Sequence, residues 1–240
     1  MSCKYYLILF YSISYLLFAL LLWLSKAKQG LRLFDDKGLV SNPAMLVVLH
    51  IGGIILFGFV PFIFDHSYSF VLYRSDTMDN PSTWVTLLLF ILLLFVSPRI
   101  AEKKYGKSAA NFRADAFPEI KFILVYFIIR ILFICVYESW FRGYLLNDSI
   151  ISLGPALAIL LNVTLYSLLH IVNGRDEVIA CIPFGILLCC LCIWQGAVWP
   201  AIFIHLALTV PYEIRFLRKN NIDNSKRYEN FNNRSLRIPG

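Results

Sequence analysis

Residues 122–146 read FILVYFIIRILFICVYESWFRGYLL. This run is long enough to cross a hydrocarbon core of about 30 Å, which takes about 20 residues of helix. It also carries Arg130, Glu138 and Arg142, and a charge at mid-membrane costs about 2.5–3.5 kcal/mol even on lenient insertion scales. A strict hydropathy window would split the run at those charges, whereas a helix with one protein-facing polar side holds all three. Six more apolar runs flank it, at 5–24, 43–64, 82–98, 154–172, 178–195 and 197–215. The expected fold is therefore all-α, a polytopic transmembrane helical bundle of about seven spans. The composition agrees: 59% of the 240 residues are hydrophobic and only 15% charged, with a mean hydropathy of +0.68. Too few charges remain to clothe a globule, which excludes a water-soluble enzyme.

One transmembrane domain is expected over 1–215, followed by a polar, basic cytoplasmic tail over 216–240. The tail is Asn-rich, with little apolar area to repay the ordering of its backbone, so it is expected to be mobile or to lie on the headgroups. The first apolar run is too long for a signal-peptide core and reads as a retained signal anchor. Gln195 and Gly196 alone separate the last two runs, which leaves a tight outer turn and a re-entrant segment both open. The cysteines fall almost entirely within apolar segments and read as small core or lipid-facing residues.

Lys and Arg concentrate on the cytoplasmic side of a membrane. The 25–42 loop carries Lys26, Lys28, Arg32 and Lys37; the 65–81 loop has Arg74 against Asp65, Asp76 and Asp79; the 99–121 loop has six basic residues; and seven more follow Tyr212. This alternation sets the N-terminus outside and the C-terminus in the cytoplasm. The net charge of +7 thus anchors the chain to a lipid bilayer and implies no nucleic acid, because the basic residues form no aromatic-interleaved face. Ile100, Tyr105, Phe112 and Phe117 suggest a short interfacial helix in the 99–121 loop.

Few ionisable residues remain inside the membrane. Glu138 and Arg142 lie at i,i+4, on one helix face, where they can pair. His170 follows in the next run and His205 in the last. A glutamate and two histidines from three helices can hold a metal or poise a water, and imidazole can move a proton or donate to an oxyanion. The bland alternative is that Glu138 and Arg142 neutralise one another while each histidine satisfies a backbone carbonyl. Arg130 reads as a snorkelling residue, and His50, beside Gly52 and Gly53, as a packing neighbour. No HExxH, GxGD or GxSG signature is present.

Over residues 120–215 the chain resembles the CAAX-protease and bacteriocin-processing (CPBP, or Abi) family of intramembrane metalloproteases. The matching stretches are Tyr137-Glu138-x-x-x-Arg142-Gly143, Tyr166-x-x-x-His170 and His205-x-x-x-Thr209, against family motifs Glu-Glu-x-x-x-Arg, Phe-x-x-x-His and His-x-x-x-Asn or Asp. The resemblance implies an intramembrane endopeptidase of the CAAX prenyl endopeptidase type, acting on hydrophobic or lipidated peptides or membrane proteins in a bacterial cytoplasmic membrane. The alternatives are a catalytically inactive homologue that binds or chaperones a membrane partner and, last, a small transporter. It implies Glu138, His170, His205 and Thr209 as catalytic residues, with Arg142, Tyr166 and Tyr137 in support. A divalent metal such as zinc is a further expectation, with Glu138, His170 and His205 as its ligands. The family's first glutamate activates water with the second-motif histidine, and here that position is Tyr137. A phenol, with a reference pKa of about 10, stays protonated at pH 7 and is a poor base. Glu138 would have to turn toward His170 to replace it, since adjacent helix positions differ by about 100°. Asp176 and Glu177 would have to fold inward from a solvated turn.

Overall fold

A computed structural model describes residues 2–25, 33–35, 38–39, 42–59, 61, 81–108 and 119–235. The helices are α1 (Ser2–Leu24), α2 (Pro43–Ile54, extended by a π turn at Ile55–Phe59), α3 (Pro81–Ser108), α4 (Ile120–Glu138), α5 (Leu146–Leu153), α6 (Pro155–Leu169), α7 (Arg175–Gln195) and α8 (Trp199–Ser235). A π segment, Ser139–Leu145, joins α4 to α5 without a break. Two strand residues on each side, Phe34–Asp35 and Gly38–Leu39, form a minimal antiparallel pair. The fold is an all-α, multi-pass membrane bundle.

Among the described residues, four helices are long and apolar enough to cross a membrane: Pro81–Lys104, Ile120–Leu153, Arg175–Gln195 and Trp199–Lys219. Of the about seven spans expected, these four are supported by unbroken length. The runs expected at 5–24, 43–64 and 154–172 correspond to the shorter apolar helices Phe10–Leu24, Pro43–Phe59 and Pro155–Leu169. For the run at 154–172, hydropathy counts apolar residues across a helix break, whereas α6 itself is shorter. Gly154 (φ 78°) precedes α6 and His170 leaves helical geometry at its end; its 15 residues rise about 22 Å at 1.5 Å each. The charged run at 122–146 extends instead, because the π segment keeps α4 and α5 in one span of 34 residues.

Between α7 and α8 the chain makes a tight turn: Gly196 closes α7 in the left-handed region (φ 66°, ψ 26°), and its N–H bonds the Cys192 carbonyl. α8 then runs on to Ser235, so most of the tail, expected to be mobile or to lie on the headgroups, has helical backbone. Extending an existing helix avoids the cost of nucleation. α3 likewise continues to Ser108, which places Ile100 on a spanning helix and not on a separate interfacial one. The 65–80 loop and residues 109–118, with Phe112 and Phe117, lie outside the described residues.

Burial ranks the helices. More than half of the α8 span (56%) is inside the protein, against 17% for α3, so α8 is central. α3, with Trp84, Leu88, Ile91 and Phe95 exposed, presents a lipid face. α3 packs along α8, α2 along α4, and α6 against both α5 and α7. An aromatic core of Phe18, Phe57, Phe133, Tyr137, Trp140 and Phe141 joins α1, α2 and α4. Gly53 permits that contact, because a Cβ there would strike the rings of Phe133 and Phe18. Gly53→Val is expected to lower stability by about 1–3 kcal/mol through overpacking. Thermal denaturation in detergent checks this, and an unchanged midpoint would contradict it.

Candidate active-site cavity

Glu138 is the last residue of α4, and the π segment begins immediately after it. The Phe141 carbonyl accepts from the Leu146 N–H five residues on, as a π turn requires, and also from Asn162 Nδ2 of α6 at 2.5 Å. Fully buried Asn162 therefore pins the segment, and it accepts in turn from the Cys189 thiol of α7 at 3.4 Å. This arrangement keeps Glu138 and Arg142 on one side. Arg142 Nη1 lies 3.0 Å from Glu138 Oε2, both side chains fully enclosed. The guanidinium carbon stands 4.3 Å from the centre of the Tyr166 ring, a cation–π arrangement. Gly185 lets α7 approach this pair: a Cβ there would meet Val163 at 3.3 Å and Tyr166 at 3.4 Å.

The other Glu138 oxygen, Oε1, lies 2.5 Å from His205 Nδ1 of α8. A carboxylate only accepts, so Nδ1 carries the proton and donates, which leaves Nε2 as the working nitrogen of His205. His170 is held in a similar way. Its Nδ1 is 2.9 Å from the Tyr166 carbonyl, which again fixes the proton on Nδ1 and the lone pair of the neutral ring on Nε2. Its backbone (φ −90°, ψ 1°) lies in the sparsely populated bridge region.

A cavity of about 270 Å³ gathers these groups, with Tyr137, Tyr166, His170 and His205 among its walls, together with Arg130 and Glu177. The Tyr137 ring packs 4.6 Å from Phe141 and 6.4 Å from His205, and its buried hydroxyl has no hydrogen-bond partner. Thr209 is buried but is not a wall of this cavity. A larger apolar cavity of about 600 Å³, walled by Tyr15, Trp140 and Leu165 among others, has no histidine. Both histidines belong to the smaller one. Among the described residues no group of three or more His, Cys, Asp and Glu side chains is gathered to hold a metal. Of the Glu138 oxygens, Oε2 pairs with Arg142 and Oε1 with His205 Nδ1.

The family model for type II CAAX prenyl endopeptidase Rce1-like proteins matches residues 119–210. That match supports membership of the CAAX-protease superfamily. It covers α4 to the middle of α8, the elements that build the cavity, and supports a general intramembrane-protease-like role. With the four spans, it supports a membrane-associated substrate in general. No curated protein and no solved structure matches the chain.

A second polar cluster went unread in the sequence. Arg130 Nη1 donates to His50 Nε2 at 2.8 Å, and Arg130 Nε lies 3.4 Å from Glu213 Oε1. The Tyr126 hydroxyl donates to Glu213 Oε2 at 2.5 Å and accepts from the Leu33 N–H at 3.2 Å. All four side chains are buried. Arg130 is therefore held inside the protein and does not snorkel, and His50 is its acceptor as well as a packing neighbour. The signal was present in the spacing. α4 and α8 are antiparallel, so moving eight residues back from Glu138 and eight forward from His205 reaches Arg130 and Glu213, about 12 Å along the helix axes.

Proposed function

We propose that the chain is an intramembrane endopeptidase of the CPBP type, hydrolysing membrane-associated or lipidated peptides in a bacterial cytoplasmic membrane, with the basic C-terminal segment in the cytoplasm. The observation that carries this reading is the pair of histidines in one enclosed cavity, each with its Nδ1 proton committed to a fixed acceptor. Two ring nitrogens of defined role then face one space. His170 Nε2 accepts a hydrogen bond from the attacking water, and a carboxylate takes the proton. Hydroxide oxygen adds to the peptide carbonyl carbon. Protonated His205, whose charge Glu138 faces, donates from Nε2 to the oxyanion. Collapse breaks the C–N bond, and the amine leaves with the proton first taken from water. The buried aromatic walls limit the water that competes with this step.

Glu138 is the orienting group of His205 and not the base: both its oxygens face away from that task. Arg142 compensates its charge, which leaves the imidazole of His205 as the adaptable partner.

Tyr137, a buried phenol at the position of the family's water-activating glutamate, favours a second reading: a silent homologue that binds a membrane partner. Reconstituted protein and a mixed library of prenylated, acylated and unmodified hydrophobic peptides separate the two. Endopeptidase action yields new peptide termini by mass spectrometry, enriched among the lipidated members. A library left intact by wild type and cut by Tyr137→Glu would assign the chain to the silent class.

A further inference from the structure

The peptidase reading needs a carboxylate at the water, and four acidic side chains are candidates. Glu138 is committed to Arg142 and His205. Glu213 is committed to Tyr126 and Arg130 and does not line the cavity. Asp176 is exposed. Glu177 is different: it lines the cavity beside His170, and among the described residues it is the one Asp or Glu that does.

Its placement follows from the backbone. After His170 the chain makes one 3-10 turn, Ile171–Asn173, and then Gly174 adopts φ 105°, ψ 165°, a region essentially reserved for glycine. That bend starts α7 so that Glu177, Ala180, Cys181 and Phe184 all face the cavity, which is the i, i+3, i+4, i+7 stripe of one helix face. The far end of the stripe reaches the site directly, as the Phe184 ring lies 5.7 Å from the His205 ring. At the near end Asn173 Nδ2 donates to Glu177 Oε1 at 2.6 Å, which orients the half-buried carboxylate. The turn that the sequence reads as solvated thus folds inward at Glu177 while leaving Asp176 outside.

We propose that Glu177 is the general base of this enzyme, supplying from α7 the carboxylate that Tyr137 does not supply from α4. The proposal rests on the peptidase reading. The Glu177 carboxylate removes one proton from a water that also bonds His170 Nε2. The hydroxide oxygen bonds the carbonyl carbon as the C=O π pair moves to oxygen. On collapse that pair re-forms C=O, the C–N bond breaks, and the Glu177 proton passes to the departing nitrogen. Reactants and products then differ by one added water. Asn173 is a positioning residue, and Gly174 sets the bend that aims both.

Full-length protein in proteoliposomes, assayed on a library peptide that wild type cuts, tests this. Glu177→Gln is expected to lose 10²- to 10⁴-fold in kcat, roughly the weight of a general base, with little change in KM and an unchanged melting midpoint. Glu177→Asp is expected to recover part of the loss, and Asp176→Asn to cut at the wild-type rate. A Glu177→Gln enzyme as active as wild type would overturn the assignment while proteolysis stood. A midpoint that fell in parallel with activity, with no rescue by Asp, would also overturn it, as a structural role. Wild type that cuts no peptide would overturn the peptidase reading and this assignment together.

Discussion

Glu138→Ala is expected to destabilise the fold by about 3–5 kcal/mol, the usual cost of removing one partner from a buried ion pair. The carboxylate has no solvent exposure and answers two groups, Arg142 at 3.0 Å and His205 at 2.5 Å. Without it a buried guanidinium remains against Tyr166 and Gly185, its charge uncompensated. The expected observation is a lowered melting midpoint in detergent, or failure to accumulate in the membrane. The double variant Glu138→Leu, Arg142→Leu removes both charges and is expected to recover much of the loss, since a buried pair exchanged for apolar residues is often neutral. Equal damage in the single and double variants would contradict the coupling. The single variant also frees the His205 ring, so activity is expected to fall for a separate reason: the ring loses the carboxylate that orients it and faces its charge.

His170→Ala is expected to reduce turnover by about 10²- to 10⁴-fold with a much smaller effect on stability than Glu138→Ala. Its ring is held to its own helix, by the Tyr166 carbonyl one turn back and by packing 4.6 Å from the Tyr166 ring. Glu138, by contrast, joins Arg142 of its own span to His205 of α8. Comparing turnover with melting midpoint separates the two roles. Turnover that survived the substitution would remove His170 from the reacting centre.

The sequence carried the helical membrane class and the i,i+4 pair of Glu138 and Arg142, because apolar length and helix periodicity are local properties. The convergence of His170 and His205 was an inference from chemistry: two imidazoles in segments nearly devoid of other polar groups have few reasons to be there. The π segment after Glu138 had no such signature. It depends on Asn162 and Cys189 from two other helices, and neither residue stands out in the chain. Hydropathy does not see Gly154 or the backbone turn at His170, which together bound the short helix α6. Glu213 does not stand out in the sequence because it sits where the last apolar run meets the basic tail, although its distance from His205 equals that from Arg130 to Glu138 along an antiparallel helix. Glu177 looked solvated because its neighbours are Arg175 and Asp176; only the conformation of Gly174 reveals which of these side chains turns inward.

The central claim is that the cavity shared by His170, His205 and Glu177 adds water to a peptide carbonyl. The most direct measurement is mass spectrometry of the products formed in ¹⁸O-labelled water by wild type and by His170→Ala in proteoliposomes. The account predicts one labelled oxygen in the newly formed carboxylate with wild type and almost no product with His170→Ala. Equal labelled product from both proteins, or no new carboxylate from wild type, would contradict it.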